Sequence, residues 1–68
     1  MNKFSERLKD CLIEKGYKQK ALAKGIGVSE STVSDWLNKK KQPTADNIVA
    51  VAKFLSVSCD YLLGLKDY

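Results

Sequence analysis

Apolar residues recur at helical spacing in blocks divided by glycine, proline and serine. Phe4, Leu8, Cys11 and Leu12 fall at i, i+4, i+7 and i+8, one face of a helix that Asn2 or Ser5 can cap and Gly16 can end. Ala21, Leu22, Ala23 and Ile26 form a second short stripe opening near Gln19, and Gly27 can stop it in a left-handed conformation. Ser29 is placed as the N-cap of a third helix with Thr32 in its first turn. Val33, Trp36 and Leu37 make the inner stripe of that helix, and Glu30, Ser31, Ser34, Asp35 and Asn38 lie on its opposite face. Pro43 marks a loop, and Thr44 caps a fourth helix with Ile48, Val51, Ala52 and Leu55 on its inner face. After a break at Ser56-Val57, Ser58 caps a short fifth helix in which Asp60 suits the helix dipole, Tyr61, Leu62 and Leu63 pack back, and Gly64 ends the run. No stretch alternates as a strand would, and there is neither an internal repeat nor a linker. The pattern predicts an all-α chain of about five short helices.

Length makes this one domain over residues 1–68, with a modest core. An apolar fraction of 44% excludes wholesale disorder, and no apolar run is long enough to span a bilayer. The start "MNKFSERLKD" has no apolar signal core, so the expected location is the cytoplasm. Two cysteines, Cys11 and Cys59, are too few for a disulfide framework and read as partly or fully buried free thiols. With no histidine, a four-ligand zinc site cannot be built from cysteine and histidine within one chain, and no metal or cofactor is expected. Enzymatic function finds no support: there is no histidine for general-base work, and the cysteines lack an activating partner. "GIGVSE" is not a dinucleotide fingerprint, because Glu30 stands at the third glycine position.

Charge narrows the choice. The net charge is +4, and between Lys18 and Lys41 six lysines face only Glu30 and Asp35, while the remainder holds six bases and six acids. The whole excess therefore sits in one segment, which points to nucleic acid or another anionic surface. Within that segment, "QKALAKGIGVSESTVSDWL" puts a small residue, Ala23, at the fifth position, where two helices must cross closely. Gly27 stands at the ninth, where the chain must turn with positive φ. Leu22, Ile26, Val28, Val33 and Trp36 occupy the inward positions. This is the spacing of a helix-turn-helix over about residues 19–38, whose second helix lies in the DNA major groove.

From Phe4 to Gly64 the chain resembles the Cro/CI family of phage and bacterial repressors, also called XRE-type or lambda-repressor-like helix-turn-helix proteins. The likeness extends to Pro43 and to the closing run "LSVSCDYLLG". It implies a compact five-helix domain that binds a double-stranded, palindromic operator as a homodimer and regulates transcription as a repressor. It further implies base reading by Glu30, Ser31, Ser34 and Asp35, and phosphate binding by Gln19, Thr32, Asn38, Lys39, Lys40 and Lys41. The alternative is a protein-interaction module, antitoxin-like or adaptor, on the same fold. "YLLGLKDY" continues like the start of a linker, so a small regulator and the N-terminal domain of a longer one both remain open.

Three departures from the family bear on structure. Many members have glycine where this chain has Lys39, so the third helix is expected to end differently. Many pair a buried arginine with a glutamate where this chain has Leu12 and Leu37, an exchange that leaves no orphan charge. The third is the pair of acids on the reading face. Glutamate or aspartate can accept from a cytosine amino group but repels phosphate and guanine edges, so these acids would penalise wrong sites while the lysines attract any DNA.

Overall fold

The computed structural model describes residues 2–67. They form five helices and no strand: α1 (Phe4–Lys15), α2 (Gln19–Ile26), α3 (Glu30–Leu37), α4 (Ala45–Leu55) and α5 (Cys59–Leu63). Local chemistry fixes where each begins. Ser29, Thr44 and Ser58 accept from the backbone N–H three residues on, at 3.1, 3.2 and 3.0 Å, which satisfies a donor the first helical turn would otherwise leave open. At α1 the capping oxygen is that of Asn2, which accepts from the Phe4 N–H at 2.9 Å. Ser5 lies inside the helix and donates instead to the Trp36 carbonyl of α3.

The turn after α2 depends on Gly27, whose φ of 76° is the left-handed conformation that a β-carbon disfavours. Its N–H and that of Val28 both return to the Ala23 carbonyl, at 2.9 and 3.0 Å, so the chain reverses within two residues. The same conformation ends α4, at Ser56 with φ 58°.

α1 packs on α3 and α5, α2 on α3 and α4, and α4 on α5. Phe4, Leu8, Leu22, Val33, Trp36, Val51, Leu55 and Leu62 are almost wholly buried between them, and no polar side chain is buried with them among the described residues. Trp36 meets Phe4 edge to face, with ring centroids 5.8 Å apart. Ala23 is buried, as a close crossing requires, but Ala21 is exposed and does not belong to the α2 stripe. Leu37 is only half-buried, because α3 is ending there and α1 covers one side of it. Leu63, expected to pack back, is likewise half-buried; Tyr68 lies outside the described residues. No helix among the described residues is long and apolar enough to cross a membrane.

Both cysteines are free thiols, Cys11 buried and Cys59 half-buried. Burial pushes the Cys11 thiol up, and a hydrogen bond with Tyr61 offsets only part of that. The thiol is therefore protonated and unreactive at neutral pH. Arg7 ties α1 to the end of the chain: its guanidinium lies 4.4 Å over the Tyr61 ring, donates to the Lys66 carbonyl at 3.2 Å and pairs with Asp67 at 3.5 Å.

Gly25 is required by space and not by backbone conformation. A β-carbon built on it would stand 2.2 Å from Cε1 of Phe54, whose ring also packs on Tyr17 at 5.1 Å between centroids. Gly25→Ala should therefore destabilise the fold by about 1–3 kcal/mol, although alanine is the better helix former by about 1 kcal/mol. The same change in a Phe54→Leu background should cost little. Urea unfolding of the two single variants and the double variant reads this coupling; additive effects would show that the ring does not limit the site.

Candidate nucleic-acid interface

α3 exposes a polar side because its apolar side is held in the core by Val33 and Trp36. Glu30 and Ser31 at its start are exposed, Thr32, Ser34 and Asp35 are half-exposed, and Asn38 just past its end is exposed. Their conformations are largely set by one another. Ser29 Oγ lies 3.1 Å from Ser31 Oγ and 2.8 Å from Thr32 Oγ1, and Asn38 donates to Ser34 Oγ at 3.2 Å. Any partner meeting this face competes with, or extends, an existing hydroxyl network.

The two acids differ in a way their common face does not suggest. Glu30 is exposed in the first turn and has no ion pair among the described residues. Asp35 keeps 29% of its side-chain exposure and lies 3.9 Å from the Lys41 ammonium. Backbone hydrogen bonds from Lys40 and Lys41 to the Asp35 carbonyl, at 2.8 and 3.4 Å, fold the lysine run back over the end of α3 and bring that ammonium near. Lys39 pairs with Glu6 of α1 at 3.5 Å, both well exposed. Lys40 has no ion pair among the described residues, so it carries the open charge of the run.

Gln19 is exposed at the first position of α2, and Lys18 before it provides no side-chain cap. The opening amides of α2 thus point outward with the positive end of the helix dipole behind them. The Ser5, Glu6 and Lys41 tethers of α3 have no signature in the sequence. The tethers from α1 join residues some thirty positions apart, and Asp35–Lys41 spans a helix end, so neither leaves a periodic signal.

α3 ends without a glycine. Asn38 closes the helix and Lys39 takes the left-handed conformation, φ 61°, that glycine adopts most easily. The lysine bears the strain because the Trp36 carbonyl accepts both its N–H, at 3.2 Å, and the Ser5 hydroxyl, which fixes the geometry of the turn.

A short helix with its apolar side buried, joined through a sharp glycine turn to the helix before it and followed by folded-back lysines, defines a helix-turn-helix domain of the Cro/CI kind. The helix-turn-helix family model matches residues 8–62, and the chain belongs to that family. It is 41% identical over 46 residues to repressor protein C2 of Salmonella phage P22, and 33% identical over 60 residues to an SPbeta prophage-derived helix-turn-helix transcriptional regulator of Bacillus subtilis. Those matches cover 68% and 88% of this chain but only 21% and 56% of the two relatives. The fold superposes on the P22 c2 repressor solved with a synthetic operator at a TM-score of 0.84 and 33% identity, covering 93% of this chain and 96% of that one.

Relief of the strained turn should be measurable. Left-handed backbone costs a residue with a β-carbon about 1–2 kcal/mol, and glycine returns roughly 0.5–1 kcal/mol of that as unfolded-state entropy. Lys39→Gly should therefore stabilise the domain by about 0.5 kcal/mol, even without the exposed Glu6 pair, since such pairs contribute little. A raised thermal midpoint is the expected result; a lowered one would show that the lysine side chain holds the turn.

Proposed function

We propose that this chain binds double-stranded DNA sequence-specifically, as a transcriptional regulator of the repressor type, by inserting α3 into the major groove. The observation that carries this reading is an exposed polar α3 face, with the lysine run folded back over its end, in a fold shared with a repressor solved with a synthetic operator. The helix-turn-helix proper spans about residues 19–38. Glu30, Ser31, Ser34 and Asp35 read base edges; Gln19, Thr32, Asn38, Lys39, Lys40 and Lys41 bind phosphate. The open amides beside Gln19 suit a phosphate oxygen. The domain works in the cytoplasm, by binding alone, with no cofactor, catalysis or membrane partner.

The proposed assembly is a homodimer on a palindromic operator, with the two reading helices in successive major grooves roughly 34 Å apart. One domain of this size offers too small an interface for tight specific binding. Leu65, 72% exposed, and Val49, 43% exposed, supply apolar surface for a second copy. Nuclease footprinting at saturating protein should protect two symmetric half-sites; protection of one half-site alone would overturn the dimer.

Alanine replacements in the lysine run should weaken binding to all sequences alike, and each ammonium removed from a phosphate should lower the log–log salt slope by about one. Lys40→Ala should show the largest effect, because Lys39 and Lys41 already spend part of their charge on Glu6 and Asp35. A shift in base preference would reassign that lysine to direct readout. A chain whose DNA affinity is unmoved by neutralising all three, yet which retains a protein partner, would be the interaction module.

Glu30→Gln and Asp35→Asn keep size and remove charge. Both should strengthen binding to scrambled duplex and steepen its salt dependence, with Asp35→Asn also freeing Lys41. Glu30 is assigned the base contact, because residues at the start of the reading helix reach base edges most directly. Its replacement should forfeit roughly 1–3 kcal/mol of discrimination at one base pair. If titrations at two salt concentrations show neither variant altering binding to scrambled DNA, the acids lie outside the interface.

A further inference from the structure

A surface groove of about 520 Å³ runs beside the α1–α3 contact, floored by Leu12 and Leu37 and walled by Ile13 and Tyr17, with Lys9 and Lys18 at its rim. Gln19 and Asn38 complete the lining. Its volume falls within the roughly 300–1,000 Å³ of small-molecule sites. Two of its wall residues are among the most exposed large apolar side chains of the described chain, Ile13 at 70% and Tyr17 at 42%. An open isoleucine and tyrosine beside an apolar floor leave a surface that loses free energy to water until something covers it.

The charge around the groove selects the occupant. No acid lines it, and neither Lys9 nor Lys18 has an ion pair among the described residues. The polar remainder is two neutral amides that can donate or accept. An apolar floor with unpaired ammonium groups at the rim complements a molecule with an apolar body and an anionic head, and repels one with a cationic head.

We propose that this groove is a binding site for a small amphipathic carboxylate, and that occupancy antagonises DNA binding. The antagonism rests on the DNA-binding reading above; the site itself does not. Gln19 and Asn38 belong both to the groove and to the proposed phosphate contacts, so a carboxylate held by Lys18 and Gln19 occupies the anion position that a DNA phosphate would take. The apolar tail lies along Leu12 and Leu37 and removes Ile13 and Tyr17 from water.

The test titrates the isotope-labelled full chain with sodium decanoate, followed by backbone amide shifts, below the concentration at which decanoate forms micelles. Decyltrimethylammonium, with the same tail and opposite head, and acetate, with the head alone, are the comparison probes. Saturable shifts centred on Lys9, Ile13, Tyr17, Gln19 and Leu37 are expected with decanoate, and none with acetate. The cation should bind at least tenfold more weakly. Leu37→Glu and Lys18→Glu, both at residues outside the fully buried core, should each weaken decanoate at least tenfold while leaving the amide spectrum of a folded chain. No saturable shift, equal response to the cation, or shifts gathered at Val49 and Leu65 would overturn the site. Saturation by an acidic amphipathic peptide where decanoate fails would overturn it also, in favour of a protein segment. In a mobility-shift assay with duplex DNA, saturating decanoate should raise the apparent Kd at least tenfold. Unchanged DNA affinity with a filled groove would overturn the antagonism, whereas absence of any DNA binding by the ligand-free chain would overturn the DNA reading and leave the site standing.

Discussion

The burial of Trp36 is the contact on which the rest of the structure depends. α3 has only eight residues, too few to hold helical structure in water by local hydrogen bonds. The indole ring, 2% exposed, inserts into the core against the edge of Phe4 and fixes the rotation of α3 about its axis. Rotation decides which side chains face outward, so the polar face from Glu30 to Asn38 exists because the opposite side is anchored. Ser5 reinforces the anchor from α1 by donating to the Trp36 carbonyl, which also accepts from the Lys39 N–H.

From the same end of α3 the positive charge is arranged. The left-handed turn at Lys39 sends the chain back, and the Asp35 carbonyl gathers the amides of Lys40 and Lys41. Three consecutive lysines thereby acquire three environments: one against Glu6, one open, one against Asp35. Exposed pairs of this length add little stability. Their effect is on field shape, because a lysine shared with an acid attracts a polyanion less than one that is not. The acids on the polar face of α3 thus differ physically, Glu30 as an uncompensated charge and Asp35 as a brake on Lys41.

Apolar Leu12 and Leu37 at the α1–α3 contact have a consequence beyond stability. They bury no charge, but Leu37 remains half-exposed, and with Ile13 and Tyr17 it leaves an apolar groove beside Gln19 and Asn38.

Much of the fold was legible in the sequence because its signals are local. Ser29, Thr44 and Ser58 cap within four residues, Gly27 turns within two, and the apolar stripes repeat within a helical turn, so spacing alone places the helices and most of the core. The chemistry of the α3 face was legible for the same reason, since alternate sides of an anchored helix follow from its period. What spacing could not show was set by contacts between distant residues. Ala21 sits in an apolar block yet faces water, because the approach of α3 and α4 selects Leu22 and Ala23 for burial. Gly25 looks dispensable until the Phe54 ring is found where its β-carbon would be. Asn2 and Ser5 are equivalent caps in the sequence, and only the nearness of the Trp36 carbonyl draws Ser5 elsewhere. The groove and the unequal pairing of the lysines depend on how α1 lies against α3. Periodicity reports which side of a helix is buried, but the distance between two side chains on different helices is fixed only when the helices pack.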